Sequence, residues 1–277
     1  MSIEEIITYA LREDVGDGDH SSLVSISADS RGKSKLWVKE AGIIAGVEIA
    51  ERIFKTVDPD MQIEVYIPDG RLVQPGDIVL KVEGSVRSIL KAERLVLNIM
   101  QRMSGIATTT RAYVHLLEGT SVRLLDTRKT TPNLRVLEKM AVRIGGGCNH
   151  RMGLYDMIML KDNHIDFAGG LKNALEKTTA YLKAKKLDLK IEIETRSLQE
   201  VEEAMRLGGF HRIMFDNFTP EAVAKAVQIV NHCYETEASG NINQQTIRAY
   251  AKTGVDFISV GALTNSVKSL DLSLKAM

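Results

Sequence analysis

The chain has 277 residues, enough for one large domain or two of ordinary size with a real core. Hydrophobic residues make up 44% and charged residues 26%, the balance of a soluble globular chain rather than a disordered one. Lys and Arg number 36 and so do Asp and Glu, which disfavours nucleic-acid or membrane-surface binding, and only Cys148 and Cys233 are cysteines, which excludes a disulfide scaffold and fits a reducing compartment.

The N-terminus reads MSIEEIITYALRED and lacks the basic and apolar regions of a signal peptide. No apolar run reaches the roughly 20 residues that span a bilayer, so a cytoplasmic protein is expected. Ser2 to Arg12 is predicted to be a helix opened by Ser2 with Glu5 at the capping-box position. Residues 13–22, EDVGDGDHSS, hold too much Asp and Gly for helix or strand and are expected to form a loop. Lys33–Glu40 reads as a strand, Gly42–Val57 as a helix, Met61–Ile67 as a strand before a PDG turn, and Asp77–Val82 as another strand. A helical pair is predicted over Ser88–Met103 and Thr108–Leu117. Residues 1–115 therefore read as an α+β layer on a small, mostly antiparallel sheet.

From Val122 the rhythm becomes a regular alternation. VRLLDT, MIMLKD, KIEIET, RIMFDN, YETEAS and FISVGA are predicted strands, separated by helical segments, and the last four begin about 22 residues apart. Thr131-Pro132 and Thr219-Pro220 look like N-caps followed by proline, Ser197 with Glu200 like a capping box, and Gly254 like a C-terminal glycine cap. Serial βα units demand a parallel sheet with right-handed crossovers. Six of them over 116–277 suggest an α/β barrel, incomplete and open, rather than a doubly wound sheet, since no G-x-G-x-x-G follows a strand.

In such a fold chemistry sits at the C-terminal ends of the strands. Those ends carry Asp126 with Thr127, Arg128 and Lys129, then Lys161, Glu194, Asp216, Ser239-Gly240-Asn241, and Gly261. In KIEIET, Glu192 and Glu194 share one strand face; burying both requires cationic partners, and the alternative is solvation at a gap in the barrel. The run GGGCNHR (145–151) frees the backbone to approach an anion, with His150 and Arg151 adding charge; a plain helix-to-strand link is the other reading. Arg128, Lys129, Arg151 and Lys161 make a cationic patch in a neutral chain, which points to a polyanionic small ligand. A helix expected near Asn243 would offer its N–H groups, beside Ser239-Gly240-Asn241, as a phosphate pocket.

The stretches LREDVGDGDHSS, ERLVLNIMQRMSGIAT, LLDTRKTTPNLRVLEKMAVRIGGGCNHRMGLYDMIMLKDNHI, IEIETRSLQEV, IMFDNFTPEAV, EASGNI and VGALTNSV span nearly the whole chain. In this order they resemble the quinolinate phosphoribosyltransferases. The resemblance implies an N-terminal α/β sandwich over 1–115 and an open α/β barrel of the type II phosphoribosyltransferase kind over 116–277, the last residues being free to return to the first domain. It implies transfer of phosphoribosyl from phosphoribosyl pyrophosphate to quinolinate with decarboxylation, giving nicotinate mononucleotide, CO2 and pyrophosphate in NAD biosynthesis. It further implies magnesium, no organic cofactor, and a homodimer or larger assembly in which Arg102 is donated to the neighbour's site. By resemblance, Thr127, Arg128, Lys129, His150, Arg151 and Lys161 bind carboxylates and phosphates. Glu194 and Asp216 face the ribose hydroxyls and magnesium pyrophosphate. Ser239, Gly240, Asn241 and Gly261 hold the 5-phosphate, and Lys129, Lys161, Glu194 and Asp216 are the catalytic candidates.

The chain departs from the family at Asn133 and Asn241, often glycine there, at Met140, often tyrosine, and at His20, often aliphatic. Competing readings are a same-fold enzyme with another acceptor, such as nicotinate, a Schiff-base aldolase using Lys161, a small-anion sensor, and a metal hydrolase built on Asp162 and His164. The last is weak, because neither H-x-H nor H-E-x-x-H spacing occurs.

Overall fold

The computed structural model describes all 277 residues. The Ser2 hydroxyl accepts a hydrogen bond from the Glu5 backbone and the Glu5 carboxylate accepts one from the Ser2 backbone, so a capping box opens α1 (Ile3–Val15). A second helix, α2 (His20–Ser25), is capped by Asp19, so the expected loop over 13–22 shrinks to the four residues between these helices. Asp19 supplies the side-chain acceptor that nucleates this turn, a role hidden inside an Asp- and Gly-rich stretch.

The strand β1 (Arg31–Val38) is followed by the short β2 (Gly42–Ile43) and by α3 (Val47–Val57). The predicted helix over Gly42–Val57 therefore starts late: Gly46 takes a left-handed φ of 93°, and the chain ahead of it is extended. After β3 (Gln62–Val65), β4 (Leu72–Val73) and β5 (Ile78–Ser85) comes α4, one unbroken helix over Val86–Leu116 where the sequence suggested two. Gly105 lies inside it as a contact point rather than a break. A Cβ there would lie 2.2 Å from the Lys268 carbonyl oxygen, so only glycine lets that backbone come so close.

The alternating part runs β6 (Arg123–Leu125), α5 (Arg135–Ile144), β7 (Ile158–Leu160), α6 (Asp162–Ala168), α7 (Leu171–Lys185), β8 (Ile191–Thr195), α8 (Leu198–Leu207), β9 (Arg212–Asp216), α9 (Pro220–Val230), β10 (Glu235–Ser239), α10 (Ile247–Ala251), β11 (Phe257–Ser259) and α11 (Ala262–Asn265), and the chain closes with β12 (Leu272–Ala276). Thr219-Pro220 caps α9 as expected, and Ser197 caps α8, but the expected box with Glu200 does not close, because the Glu200 carboxylate accepts from the Arg196 backbone instead. Thr131-Pro132 does not cap a helix. Residues 132–134 form a turn, with Asn133 at a φ of 67°, and α5 begins only at Arg135. A positive φ explains why glycine suits position 133 and why asparagine is tolerated.

Two compact units partition the chain, and they interleave rather than divide at a single break near residue 115. The first comprises Met1–Ala112, Thr130–Gly146 and Leu263–Met277; the second comprises Tyr113–Lys129 and Gly147–Ala262. The first unit holds an antiparallel sheet in the order β12-β1-β5-β3. Its buried apolar side chains include Leu36, Val38, Leu80 and Val82 from the sheet and Ile49, Ile53 and Phe54 from α3. The second unit holds a parallel sheet in the order β6-β11-β10-β9-β8-β7. Its end strands β6 and β7 are not paired with each other, which leaves the barrel open. No helix is long and apolar enough to cross a membrane.

Candidate active site

Paired residues of a parallel sheet share a face, so the register of the second unit can be read as rows. Glu192 of β8 lies opposite Arg212 of β9, which lies opposite Glu235 of β10. One step up the strands, Glu194 is opposite Met214 and Met214 opposite Glu237. Another step on, Asp216 is opposite Ser239. The same face takes Met159 of β7, and Phe257 and Ser259 of β11. The opposite face carries Ile191, Ile193, Ile213, Phe215, Ala238 and Ile258, all buried. One face is therefore an apolar floor for helices, and the other concentrates charge.

The lower part of the charged face is structural. Arg123 and Arg212 both stack on the Phe257 ring, at 4.1 and 4.0 Å from its centroid. Arg212 also pairs with Glu235 at 3.0 Å and with the fully buried Glu237 at 3.1 Å. His150 Nε2 lies 3.0 Å from Glu192 and 3.4 Å from Glu237. Glu192 thus has His150 beside it and Glu194 has Lys161, and both are buried, so neither glutamate of β8 is solvated at the barrel gap. Burial pushes the Glu192 carboxyl up, and the charge of Glu237 adds to this; His150 and Arg212 pull it back, leaving it at about 7. Burial alone would lower His150, but hydrogen bonds and charge from the two glutamates outweigh it and raise it to about 9. Glu237 moves down, because His150, Arg212 and Ser259 overcome its burial. In the neutral ring the Arg151 backbone N–H donates to His150 Nδ1 at 2.6 Å, which leaves Nε2 to carry the proton that faces the glutamates. The cluster holds that proton jointly.

His150 is carried there by a strand-like segment. Cys148 bridges Leu125 in parallel fashion, and the His150 backbone N–H donates to Asp126 at 2.8 Å, with Asn149 donating to the same carboxylate. The glycine run ahead of it terminates a helix and packs it rather than cradling an anion. Gly145 caps α5, a Cβ on it would lie 2.6 Å from Ala107 O and Thr110 Cβ, and its carbonyl accepts from Arg111.

Above this layer, Lys161 Nζ donates to Glu194 at 3.0 Å; the lysine side chain is 44% exposed and the glutamate 10%. Arg151 is buried and donates to the Met157 carbonyl. Burial, and then the nearby charge of Arg128, hold its guanidinium below the ordinary range, and Glu192, Asp156 and Glu194 pull the other way. Arg128, Arg151, Lys161 and Glu194 therefore share one neighbourhood. Thr127 accepts from the Lys129 backbone at 3.0 Å, so its hydroxyl shapes its own loop. Arg128 is half-buried and Lys129 exposed. Asp216 is half-buried and accepts from Asn217 Nδ2 at 2.7 Å. Asn217 contacts the next loop: Gly240 must be glycine because a Cβ would lie 2.3 Å from Asn217 Oδ1, and Asn241, at a φ of 52°, donates to that same oxygen at 3.0 Å. Ser239, Gly240 and Gly261 are half-buried at the ends of β10 and β11.

The helix expected near Asn243 starts later, at Ile247. Residues 243–246 form a turn in which Asn243 Oδ1 accepts from the backbones of Gln245 and Thr246. Those N–H groups are thereby taken by a side chain, so a phosphate pocket there depends on Ser239-Gly240-Asn241 and Gly261. His164 accepts from the Lys161 backbone at 3.1 Å and caps α6, a structural task. Arg102, in α4 of the first unit, is held by Glu138, by the Thr131 hydroxyl at 2.8 Å and by the Thr264 carbonyl at 3.2 Å.

An open parallel α/β barrel whose strand ends gather three basic side chains and a carboxylate defines an α/β enzyme with its chemistry at the barrel mouth. Comparison with known proteins makes this specific. Residues 106–275 match the quinolinate phosphoribosyl transferase C-terminal domain, and residues 19–104 its N-terminal domain. A nicotinate-nucleotide pyrophosphorylase (carboxylating), chloroplastic, from Oryza sativa subsp. japonica is 45% identical over 99% of this chain and 77% of its own length. A probable nicotinate-nucleotide pyrophosphorylase (carboxylating) of Bacillus subtilis is 40% identical over 99% of this chain and 93% of its own. The crystal structure of NadC from Streptococcus pyogenes superposes with a TM-score of 0.93 at 41% identity, covering 99% of this chain and 97% of that one. The chain belongs to the quinolinate phosphoribosyltransferase family.

Strand-end reading passed over Glu138, Arg212 and the pairing role of Glu237. Aligning RIMFDN and YETEAS with KIEIET at alternate positions puts Arg212, Glu235 and Glu237 on the face of Glu192, a signal present in the sequence. Glu138 gives no such signal, because its partner lies 36 residues away in another helix.

Proposed function

We propose that the protein transfers the phosphoribosyl group of phosphoribosyl pyrophosphate to quinolinate and decarboxylates the adduct to nicotinate mononucleotide. The observation that carries this reading is that Arg151 lies near both Arg128 and Glu194, and Lys161 pairs with Glu194, in a chain that is neutral overall. Two carboxylates on the acceptor ring and the phosphates of the donor call for that many cations. Arginine forks suit both groups, at about 1.5–3 kcal/mol per charge-assisted bond.

In the reaction the pyridine nitrogen bonds to ribose C1 as the C1–O bond breaks, and pyrophosphate leaves with the electron pair. Positive charge builds on the sugar, and Glu194 and Asp216 are the carboxylates placed to stabilise it. Lys161 and Lys129 offset the negative charge of the leaving group. The pyridinium then draws electrons from the adjacent carboxylate; that C–C bond breaks, CO2 departs, and the ring carbon takes a proton. Arg128 and Arg151 hold the dicarboxylate and fix the ring's angle, an entropic contribution; His150, buried below with Nδ1 on the Arg151 backbone and Nε2 toward Glu192 and Glu237, supports them from beneath. Glu194 and Asp216 offer hard oxygens on neighbouring strands and the same sheet face, which fits magnesium; bound there with pyrophosphate, the ion would neutralise the leaving group. Ser239, Gly240, Asn241 and Gly261 are assigned to the 5-phosphate.

A homodimer in which Arg102 serves the partner's pocket belongs to the same reading, supported by a cavity of about 520 Å³ in the first unit that Arg102 lines. Two free thiols, Cys148 and Cys233, support work in the cytoplasm, although the names of plant relatives place those in organelles. An aldolase fits less well: Lys161 is ion-paired with Glu194, whereas a Schiff-base lysine is activated in a desolvated or cationic setting.

The test is release of pyrophosphate and CO2 from phosphoribosyl pyrophosphate, with quinolinate compared with nicotinate. Release of both with quinolinate alone is expected. Turnover of nicotinate alone, or binding of both substrates with no release, would overturn the reading.

A further inference from the structure

Arg102 is clamped along one edge. Its Nε donates to Glu138 Oε1 at 2.8 Å, and Nη2 lies 2.7 Å from the same oxygen. Nη2 is shared with the Thr131 hydroxyl and the Thr264 carbonyl. Nη1, with two N–H donors, takes no acceptor from the protein, and the side chain is 30% exposed. The guanidinium is thus divided into a fixed edge and a nitrogen left to meet a ligand.

Glu138 provides the fixed edge and is itself immobilised. Its side chain is 1% exposed, and its second oxygen accepts from the Thr131 backbone at 3.2 Å. A buried carboxylate costs much to desolvate unless a cation answers it. Arg102 is that cation, so the pair holds together wherever the α4 surface is presented. Arginine has several rotatable bonds, and an unclamped Arg102 would have to be ordered by each ligand it meets.

We propose that Glu138 is the positioning residue of Arg102, fixing the guanidinium so that Nη1 is presented to an anionic group of the acceptor. The proposal rests on the phosphoribosyltransferase reading above, in which Arg102 binds substrate, and extends it to a residue that touches no ligand. Thr131 is the second anchor, bonded by both members of the pair.

The experiment measures KM for quinolinate and kcat in the wild type, Glu138→Gln, Arg102→Ala and the double variant, with thermal melting alongside. Glu138→Gln is expected to raise KM about tenfold, the scale of one lost charge-assisted bond, with a smaller change in kcat. In the Arg102→Ala background the same substitution should add nothing, since the guanidinium it positions is gone. A Glu138→Gln enzyme with wild-type KM overturns the proposal, as does a KM effect that persists undiminished without Arg102. Should the Gln variant fail to fold, Glu138→Asp replaces it, retaining the charge but withdrawing it by one methylene; the same KM rise is expected, and an unchanged KM overturns the proposal. A wild type that forms no nicotinate mononucleotide, or Arg102→Ala with normal kinetics, fails the functional reading instead, so the two failures are distinct.

Discussion

The two sheets treat charge in opposite ways. In the antiparallel sheet, β1 buries Ser34, Leu36 and Val38, and its charges lie outside, where Lys33 pairs across the strands with Glu83 at 2.7 Å and both side chains are about half exposed. In the parallel sheet the outer face is apolar, and the inner face holds Arg212, Glu192, Glu237 and His150 at or near full burial. An interior lined with ions is a costly way to fill a barrel, because each ion must be matched by another. What it provides is a rigid, polar foundation under Lys161, Glu194 and Arg151. A scaffold sheet needs no such foundation.

This contrast can be broken at several points. The largest effect is expected at the mouth. Arg128→Ala should lower phosphoribosyl transfer by about a hundredfold or more while preserving the fold, because two charge-assisted bonds to substrate are lost. Near-normal turnover would remove Arg128 from the pocket. One layer down, Glu237→Leu leaves Arg212 and His150 without their shared acceptor and should cost about 3–5 kcal/mol in urea unfolding. A variant as stable as wild type would show that the inner ions are dispensable.

The third test uses pH. His150 is raised from 6.5 to about 9, so its stabilising pairing is complete below the ordinary imidazole value and is lost as pH rises through about 9. Melting temperature should therefore decline between pH 7 and 9.5, and His150→Gln should flatten that slope. An unchanged slope would mean that the charge of His150 does not matter to the fold. The smallest effect belongs to the outer pair: Lys33→Ala should change stability by less than about 1 kcal/mol, as exposed ion pairs do.

Much of the parallel unit is legible from sequence, since βα units repeat on a local rule and their strand ends announce themselves as LLDTRK, MLKDN and MFDN. The long match to one family made the site residues nameable as well. What escaped were features fixed by tertiary geometry. The helical pair predicted over Ser88–Met103 and Thr108–Leu117 is one helix, and nothing local says that the Lys268 carbonyl must approach Gly105 inside it. Thr131-Pro132 has the letters of an N-cap, but Thr131 is bonded instead to Arg102 and Glu138. The three glycines from Gly145 read as an anion loop, yet the first exists to let α5 end against Ala107 and Thr110. The Asn243 turn consumes its own backbone donors, so a helix terminus that looked available for phosphate is closed by one side chain.

The pairing of β12 with β1 has a consequence for biogenesis. Val38 faces Leu272 in that ladder, so the antiparallel sheet is one strand short until translation has passed through the whole parallel unit. During that interval β1 is an open edge with unsatisfied amides, the kind of surface that recruits other nascent chains. Ribosomes working at close spacing on one message would bring such edges together, and a holdase that shields residues 31–38 would be of most use in the seconds before Leu272–Ala276 emerges.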